Sequence, residues 1–158
     1  MRLSQNLNDA LNIQVAHELR NSIIYMKIAS FFEIMQLKNL SHYFMDRSNE
    51  EKSHADKFLN YINDRTGGVV SFSEAEESYS ALVDVSAVAD AYVKTEEFTT
   101  ESIESIYGLA LAESSYMDLG FLQEMLNEQI QEEDESNSFS VKIKAVKDLV
   151  LFDATFGK

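Results

Sequence analysis

The chain contains no cysteine and no proline, and only five glycines among 158 residues. Without cysteine there is no disulfide framework, no thiolate metal site and no cysteine nucleophile. Without proline, and with so little glycine, the usual punctuation of strands and tight turns is missing, and long helices are the natural reading. Basic residues are also scarce: thirteen Lys and Arg stand against twenty-seven Asp and Glu, a formal charge of −14. Such a surface repels nucleic acid and anionic membrane and favours cations. No apolar run approaches the roughly 20 residues of a membrane helix, and the start from Met1 to Asn6 leads into no signal-peptide core. The expectation is a soluble, cytoplasmic, all-α protein whose length fits one domain, residues 1–158.

Helical periodicity divides the chain. From about Ser4 to Leu37 apolar residues recur at helical spacing, with Ser4 as N-cap and an inward stripe of Leu7, Leu11, Val15, Glu18, Ser22, Tyr25, Ala29 and Phe32. After a break near Lys38-Asn39, a second helix runs from about Leu40 to Arg65 and stops at Gly67-Gly68, a C-cap signal. Residues 69–83 have no clean period; so long a connector suits a crossover along a bundle, with the third helix parallel to the second. The third helix spans about Asp84 to Ala112, with the stripe Val85, Ala89, Tyr92, Glu96, Thr99, Ile103, Ile106, Ala110. The fourth begins near Ser114-Ser115, carries Leu119, Leu122, Leu126, Gln129 and Glu132 on one face, and ends between Ser136 and Phe139. The predicted fold is a four-helix bundle over about 4–139, followed by a short fifth helix over about 141–156 whose apolar face needs covering.

The second helix carries the most telling stretch, Asn49-Glu50-Glu51-Lys52-Ser53-His54-Ala55. Glu51 and His54 lie one turn apart on one face and can hold the same hard or borderline metal ion. That face continues Leu40, Phe44, Arg47, Glu51, His54, Phe58, Tyr61, Ile62, so the pair belongs to the stripe that packs inward. Acids interrupt every other apolar stripe as well: Glu18, Glu96, and Glu132 with Gln129. Burying an ion costs several kcal/mol even after relaxation, and Arg47 alone cannot balance four acids. Two divalent cations would, with His54 as a neutral ligand. Carboxylates with one imidazole and no sulfur suit iron or manganese.

The run Leu11-Asn12-Ile13-Gln14 through Glu18 to Ile24-Tyr25, the motif from Asn49 to Ala55, and Asn127-Glu128-Gln129-Ile130-Gln131-Glu132-Glu133 together resemble the bacterial-type non-haem ferritins over nearly the whole chain. The resemblance implies a ferritin-like fold and an iron-storage ferroxidase. Such proteins oxidise Fe²⁺ with dioxygen at a di-iron centre in each bundle and keep ferric mineral in a cage of 24 identical subunits. It makes Glu18, Glu51 and His54 ligands of the first iron, with Glu51 bridging, and Glu96 and Glu132 ligands of the second, with Gln129 beside them. Tyr25 matches a tyrosine that can supply an electron. Glu50 and Glu128 match two acids of a third, outer iron site, but Gln131 stands where that site has a further Glu. Lys52 replaces the haem-binding methionine of the related bacterioferritins, so no haem is expected, and Glu124 stands where a tryptophan is often found. The stretch before the tail helix looks a few residues short.

Blander readings stand beside these. Glu51 and His54 alone could be a surface i,i+3 pair, Tyr25 a core tyrosine, and His17 and His42 solvent-facing. Most of the run Glu132–Glu135 reads as a solvated face, while Glu113 and Asp118 near the start of the fourth helix could guide entering cations. The functional alternatives are a di-iron oxidoreductase or peroxide scavenger that stores nothing, and a non-catalytic metal-binding shell subunit.

Overall fold

In the computed structural model, residues 2–66 and 82–157 are described. They form α1 (Gln5–Ile34), α2 (Lys38–Thr66), α3 (Val85–Ala112), α4 (Tyr116–Ala145) and α5 (Leu149–Thr155). At ~1.5 Å per residue the four long helices each extend ~40–45 Å. The starts of α1, α3 and α5 are set locally: Ser4 accepts from the Leu7 amide at 3.1 Å, Asp84 from Ala87 at 2.7 Å and Asp148 from Leu151 at 3.0 Å. Each side-chain oxygen satisfies a backbone donor that the first turn leaves unpaired.

Cross-helix contacts set the topology. Ser22 meets Ser48 and Asn21 meets Glu51, so α1 and α2 are antiparallel. Gln14 meets Ser102 and Asn21 meets Thr99, so α1 and α3 are antiparallel too. Helices α2 and α3 are therefore parallel, as predicted. The crossover over 69–83 and the Gly67-Gly68 cap fall largely or wholly outside the described residues. No helix of the described residues is long and apolar enough to cross a membrane.

Three boundaries differ from the sequence reading. The first break lies at 35–37, not at Lys38-Asn39, and α1 ends without glycine: Gln36 takes a left-handed φ of 60° while the Leu37 amide reaches back to the Phe32 carbonyl at 3.0 Å. Ser114, φ 56°, closes α3 in the same way, with Ser115 N–H to Ala110 O at 2.8 Å. Neither end carries the glycine usual at that position; the end of α3 at Ala112 nevertheless agrees with the sequence reading. Helix α4 does not stop by Phe139 but continues to Ala145, because Phe139, Ser140 and Ile143 find cover in the bundle. The tail helix shrinks accordingly to α5, seven residues long. Leu149, Phe152 and Phe156 pack against the core, whereas Val150 is 72% exposed. Asp153 of α5 caps α2 from outside, accepting from the Leu40 backbone N–H at 2.8 Å, and its carbonyl accepts from the Asn39 side-chain Nδ2 at 2.7 Å.

The core is in two parts. Tyr25, Phe32, Phe44, Tyr92 and Phe139 anchor one apolar cluster near the α1–α2 turn, and Leu7, Leu11, Phe58, Ile103 and Leu122 anchor the other. Between them lies a layer of buried polar side chains.

Candidate metal centre

All the stripe residues singled out at this level are buried: Glu18, Glu51, His54, Glu96, Gln129 and Glu132 are each at most 8% exposed. Glu18 comes from α1, Glu51 and His54 from α2, Glu96 from α3, and Gln129 and Glu132 from α4. The helical period carries each acid inward together with buried neighbours three or four positions away: Ser22 beside Glu18, Ala55 beside Glu51, Tyr92 beside Glu96 and Ser136 beside Glu132. Ligand atoms of Glu18, Glu51 and His54 lie within 4.8 Å of one another. The His54 Nδ1 to Glu51 Oε1 separation is 3.4 Å.

The hydrogen bonds around the acids are one-sided. Gln14 Nε2 donates to Glu18 Oε1 at 2.8 Å, while Glu18 Oε2 is buried with no hydrogen-bond partner. Asn21 Nδ2 donates to Glu51 Oε2 at 3.1 Å and to Thr99 Oγ1 at 2.8 Å. Tyr25 donates its phenol proton to Glu96 Oε1, and Gln129 Nε2 donates to Glu96 Oε2 at 3.1 Å. Arg47 Nη1 donates to Glu132 Oε2 at 2.9 Å.

Burial, then repulsion from Glu51, holds the Glu18 carboxyl well above the usual carboxylate range. Burial and the Glu51 charge push Glu96 up to about 8. Burial lifts Glu132 to about 7 against the opposing charge of Arg47. For His54 burial favours the neutral ring, but the Glu51 hydrogen bond and the surrounding carboxylates outweigh it and raise the pKa. Burial and Glu96 push the Tyr25 phenol well above its ordinary value. The metal-free layer therefore holds protons that a cation would displace. A partnerless buried carboxylate oxygen, an imidazole beside it and acids kept protonated by crowding fit a divalent metal ion, hard to borderline in character.

On the outer side of the layer, Glu50, Ser53, His54, Lys57, Glu128, Gln131 and Glu132 line a cavity of about 380 Å³. Glu50 and Glu128 thus share one cavity, but each is engaged: Glu50 accepts from Arg47 Nη2 at 2.6 Å, and Glu128 lies 3.1 Å from His54 Nε2 and accepts from Lys57.

Other expectations need correction. Asp118 is 1% exposed and takes Tyr61, Ser115 and Arg65, the last at 2.8 Å from Nε; it is an internal anchor with no face for a passing cation. Glu113 ties down the α1 start through Ser4 and Asn6. His17 does not face solvent: it is half-buried, edge-on to Phe98 at 5.2 Å, and burial lowers its pKa. His42 is exposed as expected. The sequence reading missed Gln14 and Asn21 as supports of Glu18 and Glu51. Their positions four before and three after Glu18 put them on its helix face, which was the available signal.

Residues 8–146 match the Ferritin family, described as a ferritin-like domain. The bacterial non-heme ferritin of Staphylococcus aureus (strain USA300) is 28% identical over 134 residues, covering 83% of this chain and 78% of that protein. Its Staphylococcus saprophyticus counterpart is 28% identical over 131 residues, with the same shares covered. Among solved structures, a novel open pore ferritin from the hyperthermophilic archaeon Archaeoglobus fulgidus aligns with a TM-score of 0.89 at 26% identity, over 96% of this chain and 94% of that one. A closed form of the same ferritin, engineered by site-directed mutagenesis, gives 0.89 at 27% identity over the same shares.

Proposed function

The chain belongs to the ferritin-like domain family, and from that premise we propose that it is an iron-storage ferroxidase. In this reading each chain takes two Fe²⁺, oxidises them with dioxygen and delivers ferric product to the cavity of a 24-subunit homo-oligomeric cage. The observation that carries it is the buried Glu18, Glu51 and His54 cluster, in which one carboxylate oxygen has no hydrogen-bond partner.

Two ferrous ions and dioxygen are the substrates: each ion gives one electron, and dioxygen with two protons leaves as hydrogen peroxide. Glu18, Glu51 and His54 hold one ion, with Glu51 shared between both; Glu96 and Glu132 hold the other, beside Gln129. Anionic oxygen donors favour Fe³⁺ over Fe²⁺ because the higher charge gains more from them. Glu18 and Glu96 give up their protons when a cation loads, which places protons where the peroxide forms. The Tyr25 phenol donates to Glu96 and so orients that carboxyl for its ion, while both electrons come from the irons. Glu50 and Glu128, at the outer cavity, are assigned to an outer iron position. Assembly is supported by Ile13, Leu19, Ile23 and Met26, 41–47% exposed along the outer side of α1, where a subunit contact would cover them.

The test is stopped-flow absorbance after mixing the metal-free protein aerobically with two Fe²⁺ per chain. A fast ferric phase saturating near that ratio is expected. No phase above the protein-free background would leave a passive metal-binding shell. Retention of ferric mineral through size exclusion after excess iron separates storage from a di-iron oxidoreductase that stores nothing.

A further inference from the structure

The two halves of the centre are not equally assembled. Glu18, Glu51 and His54 already converge, and Glu96 and Glu132 stand outside that group. Glu132 is instead held by Arg47, which sits on α2 one turn before Glu51 with a side chain only 13% exposed. The same guanidinium reaches Glu135 at 2.6 Å and Glu50 at 2.6 Å, and lies 5.5 Å from the Tyr43 ring centroid. We propose that Arg47 is a latch on the second metal position: it occupies Glu132 in the metal-free chain, so the two positions fill in order and the second fills only when Glu132 is released. This rests on the dinuclear reading of the site.

The latch has somewhere to go. Glu50 and Glu135 are about half exposed, at 45% and 48%, and remain as acceptors when Glu132 is withdrawn. Arg47 also borders an open cavity of about 440 Å³ shared with Tyr43, Asp134, Glu135 and Lys142. Releasing Glu132 therefore leaves no unpaired cation in the core, the outcome that makes broken buried pairs costly. What an incoming cation loses is one charge-assisted hydrogen bond's worth of competition, about tenfold to a hundredfold in affinity. The positive charge beside the second position adds to the same bias.

Arg47 is a positioning residue in this scheme, and its test is binding. The metal-free protein is titrated anaerobically with Co²⁺, followed by its visible absorption and by calorimetry. With Glu128→Ala present throughout to silence the outer position, the chain that keeps Arg47 is expected to take two Co²⁺ per subunit with constants separated by tenfold or more. Arg47→Gln tightens the second event about tenfold or more and leaves the first nearly unchanged, while Glu132→Gln abolishes the second event alone. Arg47→Lys keeps the charge but cannot span Glu132 and Glu50, so it tightens the second event by a smaller factor; where Arg47→Gln does not fold, this variant carries the test. Two equal constants with Arg47 in place, or a second constant unmoved in the Arg47 variants, would overturn the latch and leave the dinuclear reading standing. No Co²⁺ binding at all would remove that reading and the latch with it.

Discussion

Raising the pH of the metal-free protein from 5.5 to 8.5 is expected to destabilise it, opposite to the behaviour of a protein held by surface carboxylates. Glu96 rises from 4.5 to about 8 on folding. Between those values the folded chain holds a proton that the unfolded chain has lost. Stability from this group is full below pH 4.5 and disappears as pH passes the folded value. Integrated from pH 5.5 to 8.5, Glu96 alone accounts for about 3 kcal/mol, or a fall in Tm of ~6–12 °C for a chain of this size. Glu132, raised to about 7, and Glu18 and His54, also raised, act in the same direction. The lowered carboxyls of Glu33, Asp90, Glu113 and Asp118 lose their contributions only as pH falls through the acid range, outside this window, and lowered His17 opposes the trend only near its acid end. The assay is thermal unfolding by circular dichroism in a chelating buffer across the window. Glu96→Gln, which can still accept from Tyr25, removes the ionisable group and should flatten the profile. Added Co²⁺ should restore stability most at the alkaline end, where the ligands are already deprotonated. A wild-type Tm that rises with pH, or a Glu96→Gln profile as steep as the wild type, would refute the reasoning.

Further outcomes follow from individual residues. Glu51→Ala is expected to remove the fast oxidation phase while far-ultraviolet circular dichroism stays helical; rapid oxidation in that variant would sink its role as the shared ligand. Asp153→Ala removes the cap on Leu40, costing about 1 kcal/mol, and hydrogen exchange at the Leu40 amide should accelerate; unchanged exchange would count against the cap. Asp118→Ala strips Tyr61 and Arg65 of their shared carboxylate and should cost ~2–4 kcal/mol while the fast oxidation phase persists, whereas loss of that phase in folded protein would restore a cation-guiding role. Gln36→Gly relieves a left-handed non-glycine residue and should stabilise by about 0.5–1 kcal/mol; a lower Tm would show that the Gln36 side chain matters more than its backbone.

The sequence by itself determined what each helix buries. A period of 3.6 residues is local, so Glu18, Glu51, His54, Glu96, Gln129 and Glu132 could be placed on inward stripes one helix at a time, and all six are buried. The electrostatic cost of such burial already called for a counter-charge, which protons on Glu18 and Glu96 supply in the metal-free chain. Helix starts were legible at Ser4 and Asp84 because a cap is a contact between near neighbours. The end of α3 at Ala112 was legible too, but that of α1 was not, where Gln36 adopts a conformation that composition assigns to glycine. Only the tertiary structure decided which side chains meet across helices: Tyr25 with Glu96, Arg47 with Glu132, Glu128 with His54, and Asp118 with Tyr61 and Arg65. Those pairings depend on the relative rotation and axial offset of separate helices, which no single stripe encodes. The same offset sets the acids at one level between two apolar clusters, and it leaves Glu132 in the grip of Arg47 and apart from the group that Glu18, Glu51 and His54 form.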